Sequence, residues 1–454
     1  MLHRAPDSAP PWGSIRATHR SDGTQRDRNR RGAVRHDRRT PPYACVSSGV
    51  AALRVTTAVN LRLPDPDPDA LAHSERLRTQ LREAIAARGA MPFSEYMQQC
   101  LYAPGLGYYS AGAAKFGPEG DFITAPELGP LFARCVARVL APLLPGLGAE
   151  AGVLELGGGS GAFAADALQA LAQLDALPAR YRILEPSADL RERQRARIAT
   201  LPAPLAARVE WIERPPEAPW RGVLFANEVI DALPATRFTL RHGEVCEEHV
   251  ALDGEGRFLR TDRPADALVS AAVRHLERDL GAPFNDGYRS ELLPQLPYWM
   301  QAIAGALEAG LMLFCDYGFP RREYYLPERR DGTLQAHYRH RAHADVLRWP
   351  GLQDLTASVD FTALAEAGNA AGFGLASYLP QAQFLIAAGL SDLFETAHAA
   401  AADETARYRL AQEVKQLTLP GAMGERFQAM LLARGLEAVA LPAELLLADQ
   451  ARRL

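Results

Sequence analysis

The stretch "VLELGGGSGAFAADAL" at 153–168 runs from apolar residues through glycines at 157, 158, 159 and 161 into an alanine-rich segment. Glycine turns tightly and lets a ligand approach the backbone, so a loop this lean between a strand and a helix is a candidate binding loop. Acidic and amide side chains frame it. Glu155 lies in the strand end, two residues before the first glycine, placed to meet a cationic or amino group, and Glu185 ends the next apolar segment, placed to accept from ribose hydroxyls. "NEVIDALP" gathers Asn227, Glu228 and Asp231 directly after the apolar "VLFA", and Asp316 closes "GLMLFCDYG". Adjacent polar groups at the end of an apolar strand are costly to bury without partners, which favours a ligand-facing position.

The glycines alone do not choose a ligand. Gly157-x-Gly159-x-x-Ala162 threads the dinucleotide fingerprint, so a nicotinamide dehydrogenase stands as the fold-level alternative. No Lys-Ser/Thr follows the glycines as a phosphate loop requires, and no Lys or Arg accompanies them for a pyrophosphate. A ligand with a ribose and an amino-acid-like end, but no phosphate, fits best. S-adenosylmethionine is that ligand, and methyl transfer the chemistry it brings. Asn227, Glu228 and Asp231 at the end of the fourth strand would face the same crevice.

These residues need a sheet to bring them together. "GVLEL", "ARYRILEP", "ARVEWIE", "RGVLFAN" and "GLMLFCDYG" read as apolar strands separated by helical connections, the pattern of a mostly parallel sheet covered on both faces. "TRFTLRHGEVCEEHVAL" at 236–252 predicts a hairpin turning at His242-Gly243, and "GFGLASYLPQAQFL" with "ERFQAMLLARG" predicts a final antiparallel pair. Upstream, Leu77, Leu81 and Ile85 recur at helical spacing with Ser74 as candidate cap, a short helix starts near Ser94, and another follows Pro126. The expected organisation is a basic, disordered arm and linker over 1–70, an N-terminal cap over 71–150, and a core over 151–454 with insertions at about 236–300 and 319–372.

The chain has 454 residues and a formal net charge of -4, which supplies no general attraction to nucleic acid or anionic membrane. Ten Arg against four Asp in residues 1–45 leave the remainder net negative, and only Lys115 and Lys415 are lysines. The five cysteines never form CxxC, so no zinc or iron–sulfur signature is present. No apolar run reaches the length of a membrane span. The expected location is cytoplasmic for a bacterial protein, or the mitochondrial matrix for a eukaryotic one.

"MPFSEYMQQCLYAPGLGYYS", "GDFITAPELGPLF", "LELGGGSG", "ANEVIDALP", "DYGFPRREYYLPERRDGTLQAHYRHRAHADVL", "QDLTASVDF" and "KQLTLPGAMGERFQAM" occur in that order. Together they resemble the MidA-like methyltransferases, whose mitochondrial relatives are complex I assembly factors that methylate an arginine of a complex I subunit. The resemblance runs from about residue 75 to 440. It implies an α/β class I methyltransferase fold: a Rossmann-like, seven-stranded, mostly parallel sheet with an antiparallel terminal hairpin, an N-terminal cap and helical insertions. It also implies S-adenosyl-L-methionine as cofactor and a protein arginine acceptor, with a respiratory complex I subunit or its bacterial counterpart as candidate partner; for such an acceptor Glu228 is the first candidate to grip the guanidinium and Asp231 the second, with Asn227 on either the methionine portion or the acceptor. Cofactor roles carry onto Gly157, Gly159, Gly161 and Glu185, with Asp121 and Thr124 near the cofactor, and Asn227, Glu228 and Asp231 at the reaction side. Gly158 stands where the family often has proline, an expected loosening of the loop.

His337, His340 and His343 recur every three residues, but the neighbouring Arg339 and Arg341 oppose a cation and no acidic partner follows at metalloprotease spacing. No metal site is expected. The segment reads instead as part of a substrate lid or a structural network, with Tyr324, Tyr325, Tyr338, His340 and Asp316 as candidate substrate-binding residues and core packing of the three tyrosines as the equal alternative. Two other functions stay open: a methyltransferase acting on a small molecule or another nucleophile, and a cofactor-binding assembly or scaffold protein without turnover.

Overall fold

The computed structural model describes residues 63–111, 124–436 and 441–454. The basic arm and Asp121 lie outside the described residues. Seven strands form the central sheet: β1 (Gly152–Leu156), β2 (Tyr181–Leu184), β3 (Val209–Ile212), β4 (Trp220–Asn227), β5 (Leu307–Phe319), β6 (Gly374–Pro380) and β7 (Phe427–Arg434). Their order across the sheet is β6-β7-β5-β4-β1-β2-β3, and a short strand, Val359–Asp360, adds to the end of β5. Neighbours from β5 to β3 run parallel, whereas β7 is antiparallel to both β5 and β6. This is the expected sheet with its antiparallel terminal pair. The chain leaves β1 toward β2 on one side and β4 on the other, so the crevice at this reversal opens at the carboxyl ends of both.

Both faces are covered because these strands are apolar on both sides. On one face pack helices Leu131–Leu140 and Ala162–Gln173, with Phe163 stacked on Phe225 of β4 at a centroid distance of 3.9 Å. On the other lie Leu296–Ala304 and Phe361–Ala370, which bury Met300, Leu364 and Phe361 against Leu224, Met312 and Met430. Burial of a side chain of this size is worth about 1.5–3 kcal/mol, so the sheet is anchored from both faces.

The insertions form sheets of their own. The hairpin Thr236–Arg241/Glu244–Leu252 turns at His242-Gly243, both with positive φ, and combines with Phe258–Pro264, Arg289–Leu292 and the N-terminal Met91–Pro92 in a five-stranded sheet. Buried Arg237 in this sheet meets Glu291 at 2.7 Å and Asp331 at 2.6 Å, tying it to the second insertion. There Gln335–Tyr338, Arg341–His343 and Asp354–Thr356 make a three-stranded sheet. The histidine triplet therefore lies on a β-hairpin, His337 and His343 on its two strands and His340 at the turn between them.

The first described helix spans Pro68–Arg88 and starts ahead of Ser74, which is buried within it. Asp67 caps it by accepting from the Ala70 N–H at 2.8 Å, with Pro68 as the first helical residue; this pairing outcompetes a serine about two turns further on. Phe93–Tyr102 and Ala125–Leu128 follow and supply Gln98, Tyr102, Pro126 and Glu127 to the crevice wall, ahead of the sheet-packed helix Leu131–Leu140.

Candidate cofactor and acceptor site

A cleft of about 1010 Å³ opens at the carboxyl ends of β1, β2, β4 and β5. Glu155, Gly157, Gly159, Glu185, Thr124, Asn227, Glu228 and Asp231 all line it, so most of the candidates converge on one site. The loop after β1 needs its glycines: φ is +62° at Gly157, +51° at Gly159 and +82° at Gly161, where side chains are strained. Gly161 caps the start of helix Ala162–Gln173 and does not line the cleft. Gly158 does not loosen the loop. A Cβ built there lies 2.8 Å from Ile183 Cγ2 and 3.1 Å from Gln194 Nε2, so the backbone is seated against β2 and the following helix.

Gln194 organises this end. Its Nε2 donates to Gly159 O at 3.0 Å and to Glu185 Oε2 at 3.1 Å, while its Oε1 accepts from Trp211 Nε1. Glu185 also accepts from the Ser187 N–H at 3.0 Å, which fixes its carboxylate at the tip of β2. Glu155 is buried, with Tyr181 Oη donating to it at 2.8 Å; desolvation pushes its carboxyl up to about 8.

The end of β4 carries the other half. Glu228 has φ +51°, a left-handed conformation that is costly for a residue with a side chain, and its N–H donates to Cys315 O. Asn227 Nδ2 donates to Glu228 Oε1 at 3.0 Å. Burial, with Asp231 nearby, raises Glu228 to about 8, and burial raises Asp231 to about 6 against the hydrogen bond from Tyr317 Oη at 2.7 Å. Among the described residues, Asn227 Oδ1 and Asp231 Oδ1 are buried without a hydrogen-bond partner at normal geometry, although the backbone N–H groups of Asp231 and Ala232 lie near enough to the Asp231 carboxyl to favour its ionised form.

Asp316 does not line the cleft. It is buried outside the lining, and one carboxylate oxygen accepts from the consecutive N–H groups of Val229, Ile230 and Asp231 at 3.0–3.3 Å. It shapes the turn that presents Glu228 and Asp231. Tyr324 and Tyr325 are also buried away from the cleft, where their hydroxyls bond Thr333 and the Glu291 carbonyl and their rings pack on the five-stranded sheet. Tyr338 is buried against Trp349, and exposed His340 sits at the tip of its hairpin. Alternation along the strand explains this division: residues 335 and 337 face the cleft, whereas 336 and 338 face the small core.

Residues without an assigned role in the sequence complete the walls. Tyr102 and Tyr109 stack at 5.5 Å; the first donates to Ala232 O and the second to Asp354 Oδ1 at 3.0 Å. Ser187 Oγ donates to Tyr109 O, joining this wall to the tip of β2. The aromatic spacing in "LYAPGLGYYS" was the visible signal; nothing local pointed to Asp354.

The donor and acceptor set fits S-adenosylmethionine. A tight glycine turn, a fixed carboxylate at the second strand, a buried carboxyl at the first and unpartnered oxygens at the fourth offer hydroxyl, amino and cationic groups somewhere to bind, without a phosphate cradle. A family model described as "Putative S-adenosyl-L-methionine-dependent methyltransferase" matches residues 135–379. The chain is 30% identical to the mitochondrial protein arginine methyltransferase NDUFAF7 homolog of Drosophila melanogaster, over 68% of this chain and 74% of the fly protein. It is 28% identical to protein arginine methyltransferase NDUFAF7 of Danio rerio, over 77% and 84% of the two chains. A Burkholderia thailandensis protein solved with bound S-adenosyl-homocysteine superposes with a TM-score of 0.80 at 40% identity, covering 86% of this chain and all of that one. The chain therefore belongs to this family: it is a class I S-adenosylmethionine-dependent methyltransferase of the MidA type, related to the mitochondrial NDUFAF7 enzymes.

Proposed function

We propose that the acceptor is an arginine side chain of a protein, methylated on a guanidinium nitrogen. The observation that carries this reading is the gathering of three carboxyls, Glu228, Asp231 and Asp354, on the wall of one cleft, with Asp231 Oδ1 buried without a side-chain partner among the described residues. An anionic oxygen left unsatisfied in a buried wall costs stability unless an incoming donor completes it, and a guanidinium brings several donors in a planar fork. The relatives that bear the name protein arginine methyltransferase support the same reading. A respiratory complex I subunit, or its bacterial counterpart, is the candidate partner that the family resemblance supplies.

Bound S-adenosylmethionine supplies an electrophilic methyl carbon, with Gly157, Gly159, Glu155 and Glu185 as its proposed holders. The protein's own work is to bind, orient and take up a proton. Glu228 and Asp231 grip two guanidinium nitrogens and leave the third directed at the methyl group. Tyr317 Oη on Asp231 Oδ2 keeps that carboxylate oriented, so Oδ1 points to the acceptor. The proton released on methylation would pass to Glu228 in its ionised form, which a bound guanidinium favours and which burial makes a ready proton acceptor.

Incubation with isotopically labelled cofactor and a bacterial or mitochondrial proteome, followed by localisation of the label, tests this. Label on arginine, reduced at least about 100-fold in Glu228→Gln with cofactor affinity retained, is expected. Label on a small molecule or on another side chain defeats the arginine reading, and cofactor binding with no transfer to anything would leave a scaffold.

A further inference from the structure

One stretch of the cleft wall carries a positive charge. Arg426 immediately precedes β7 and lines the cleft, with an exposed side chain that has no carboxylate within ion-pair distance among the described residues. Most arginines near the site are committed: Arg197 to Ser160, Arg191 to Glu213, Arg321 to Asp360 and Glu366. Arg426 is held by its backbone, whose carbonyl accepts from the Gly318 N–H at 3.3 Å at the carboxyl end of β5. It therefore stands on the acceptor side, three strands from β1 in the sheet order. His337 also lines the cleft and feels the charge of Arg426; burial, the nearby His343 and this guanidinium push its imidazole down to about 4, so it stays neutral at physiological pH. The other cleft residues of the 416–426 segment, Gln416, Gly421, Ala422 and Met423, carry no charge.

A cationic acceptor gains nothing from a free guanidinium beside its pocket, and a lone arginine would be repelled. The arrangement becomes favourable when the acceptor also carries an anion. We propose that Arg426, with His337 beside it, is a carboxylate-reading subsite that selects arginine acceptors with an acidic side chain nearby. This rests on the arginine reading above and adds a sequence rule to it. A cleft of 1010 Å³ is on the order of 12 Å across, about four residues of extended chain, so the acidic residue lies within about four positions of the methylated arginine. The deep carboxylates take the guanidinium, and Arg426 takes the carboxylate in the bidentate geometry that this pair favours. A matched pair of opposite charges also excludes arginines in wholly basic tracts, where a lysine or arginine would face Arg426.

The full-length enzyme is assayed with labelled S-adenosylmethionine and two synthetic peptide pools. Each has one fixed arginine and uncharged degenerate flanks; one carries glutamate and the other glutamine within about four positions of it. The glutamate pool is expected to show about ten-fold higher kcat/KM, through KM with kcat unchanged. Arg426→Ala removes the preference, Arg426→Glu inverts it toward a lysine-bearing pool, and Arg426→Lys keeps part of it. Because the side chain is exposed, all three variants should unfold within about 1 °C of the parent. Equal use of the two pools by the parent, or a preference that survives Arg426→Glu, overturns the proposal and leaves the arginine reading intact. Where short peptides are not methylated, labelled sites are located in a proteome: arginines without acidic neighbours, equally labelled by Arg426→Glu, overturn it likewise. Label on a residue other than arginine removes the underlying reading instead.

Discussion

Exchanging Glu228 for glutamine removes a titrating proton from the acceptor cleft while an amide oxygen can still accept from Asn227. In the folded chain Glu228 holds its proton up to about 8, against 4.5 for an unperturbed side chain. Between those values the native state binds more protons than the unfolded chain, so this group lowers stability as pH rises through the window. At about 1.4 kcal/mol per pH unit, the loss accumulated from about pH 5 to about pH 8 is at most about 3.5 kcal/mol. Water in the cleft screens the charge, and about 2 kcal/mol is the working figure. Glutamine, which does not ionise, escapes that loss and also relieves Asp231 of a like charge. Thermal unfolding of parent and Glu228→Gln should therefore give nearly equal midpoints near pH 5 and a midpoint for the variant about 4 °C higher near pH 8, at roughly 2 °C per kcal/mol for a domain this large. Methyl transfer should meanwhile collapse, so a gain in stability accompanies a loss of function. A stabilisation of the same size at both pH values, or a destabilisation near pH 8, would refute the reasoning, because neither follows from a carboxyl held protonated by burial.

The same two carboxyls shape catalysis. An acceptor cation binds their ionised forms, so kcat/KM should rise from about pH 6 to about pH 8 and then level, following Asp231 and Glu228; a flat profile over that range would exclude both from acceptor capture. Gly158→Ala places a methyl 2.8 Å from Ile183 Cγ2, an overpacking worth about 1–3 kcal/mol, and should weaken S-adenosylmethionine binding by calorimetry; unchanged affinity would mean that the loop can shift freely. Asp316→Asn replaces a carboxylate that receives three backbone N–H groups, and should raise acceptor KM several-fold while cofactor affinity holds; equal loss of both would point to general unfolding instead. Tyr324→Phe should cost about 1 kcal/mol of stability through its lost hydrogen bond to Thr333, with acceptor KM unmoved, whereas a KM change would return it to the substrate surface.

Strand identity and direction were legible because the signals are local. Apolar runs of strand length ending in glycine or carboxylate marked β1, β4 and β5, and the terminal antiparallel pair followed from two late strands with a long connection. The hairpin at His242-Gly243 was equally clear, but its destination was not. It pairs with Arg289–Leu292 and Met91–Pro92 in a separate sheet, a choice made by the buried contacts of Arg237 with Glu291 and Asp331, far apart in sequence. Ser74 failed as a cap because Asp67-Pro68 is a stronger start that the helical spacing of Leu77, Leu81 and Ile85 did not reveal.

The sequence by itself determined the ligand class and the strand ends that hold it. Glycines that need positive φ, and polar residues that follow apolar strands, carry their constraint wherever the chain goes. Only the tertiary structure decided which side chains share the cleft. Asp316 turned out to hold the Glu228–Asp231 turn, Tyr324 and Tyr325 to fill a core, and Tyr109, Asp354, His337 and Arg426 to form walls, although segments far apart in the chain supply them. The reason is physical: backbone conformation is set over a few residues, whereas the environment of a charge depends on every segment packed around it.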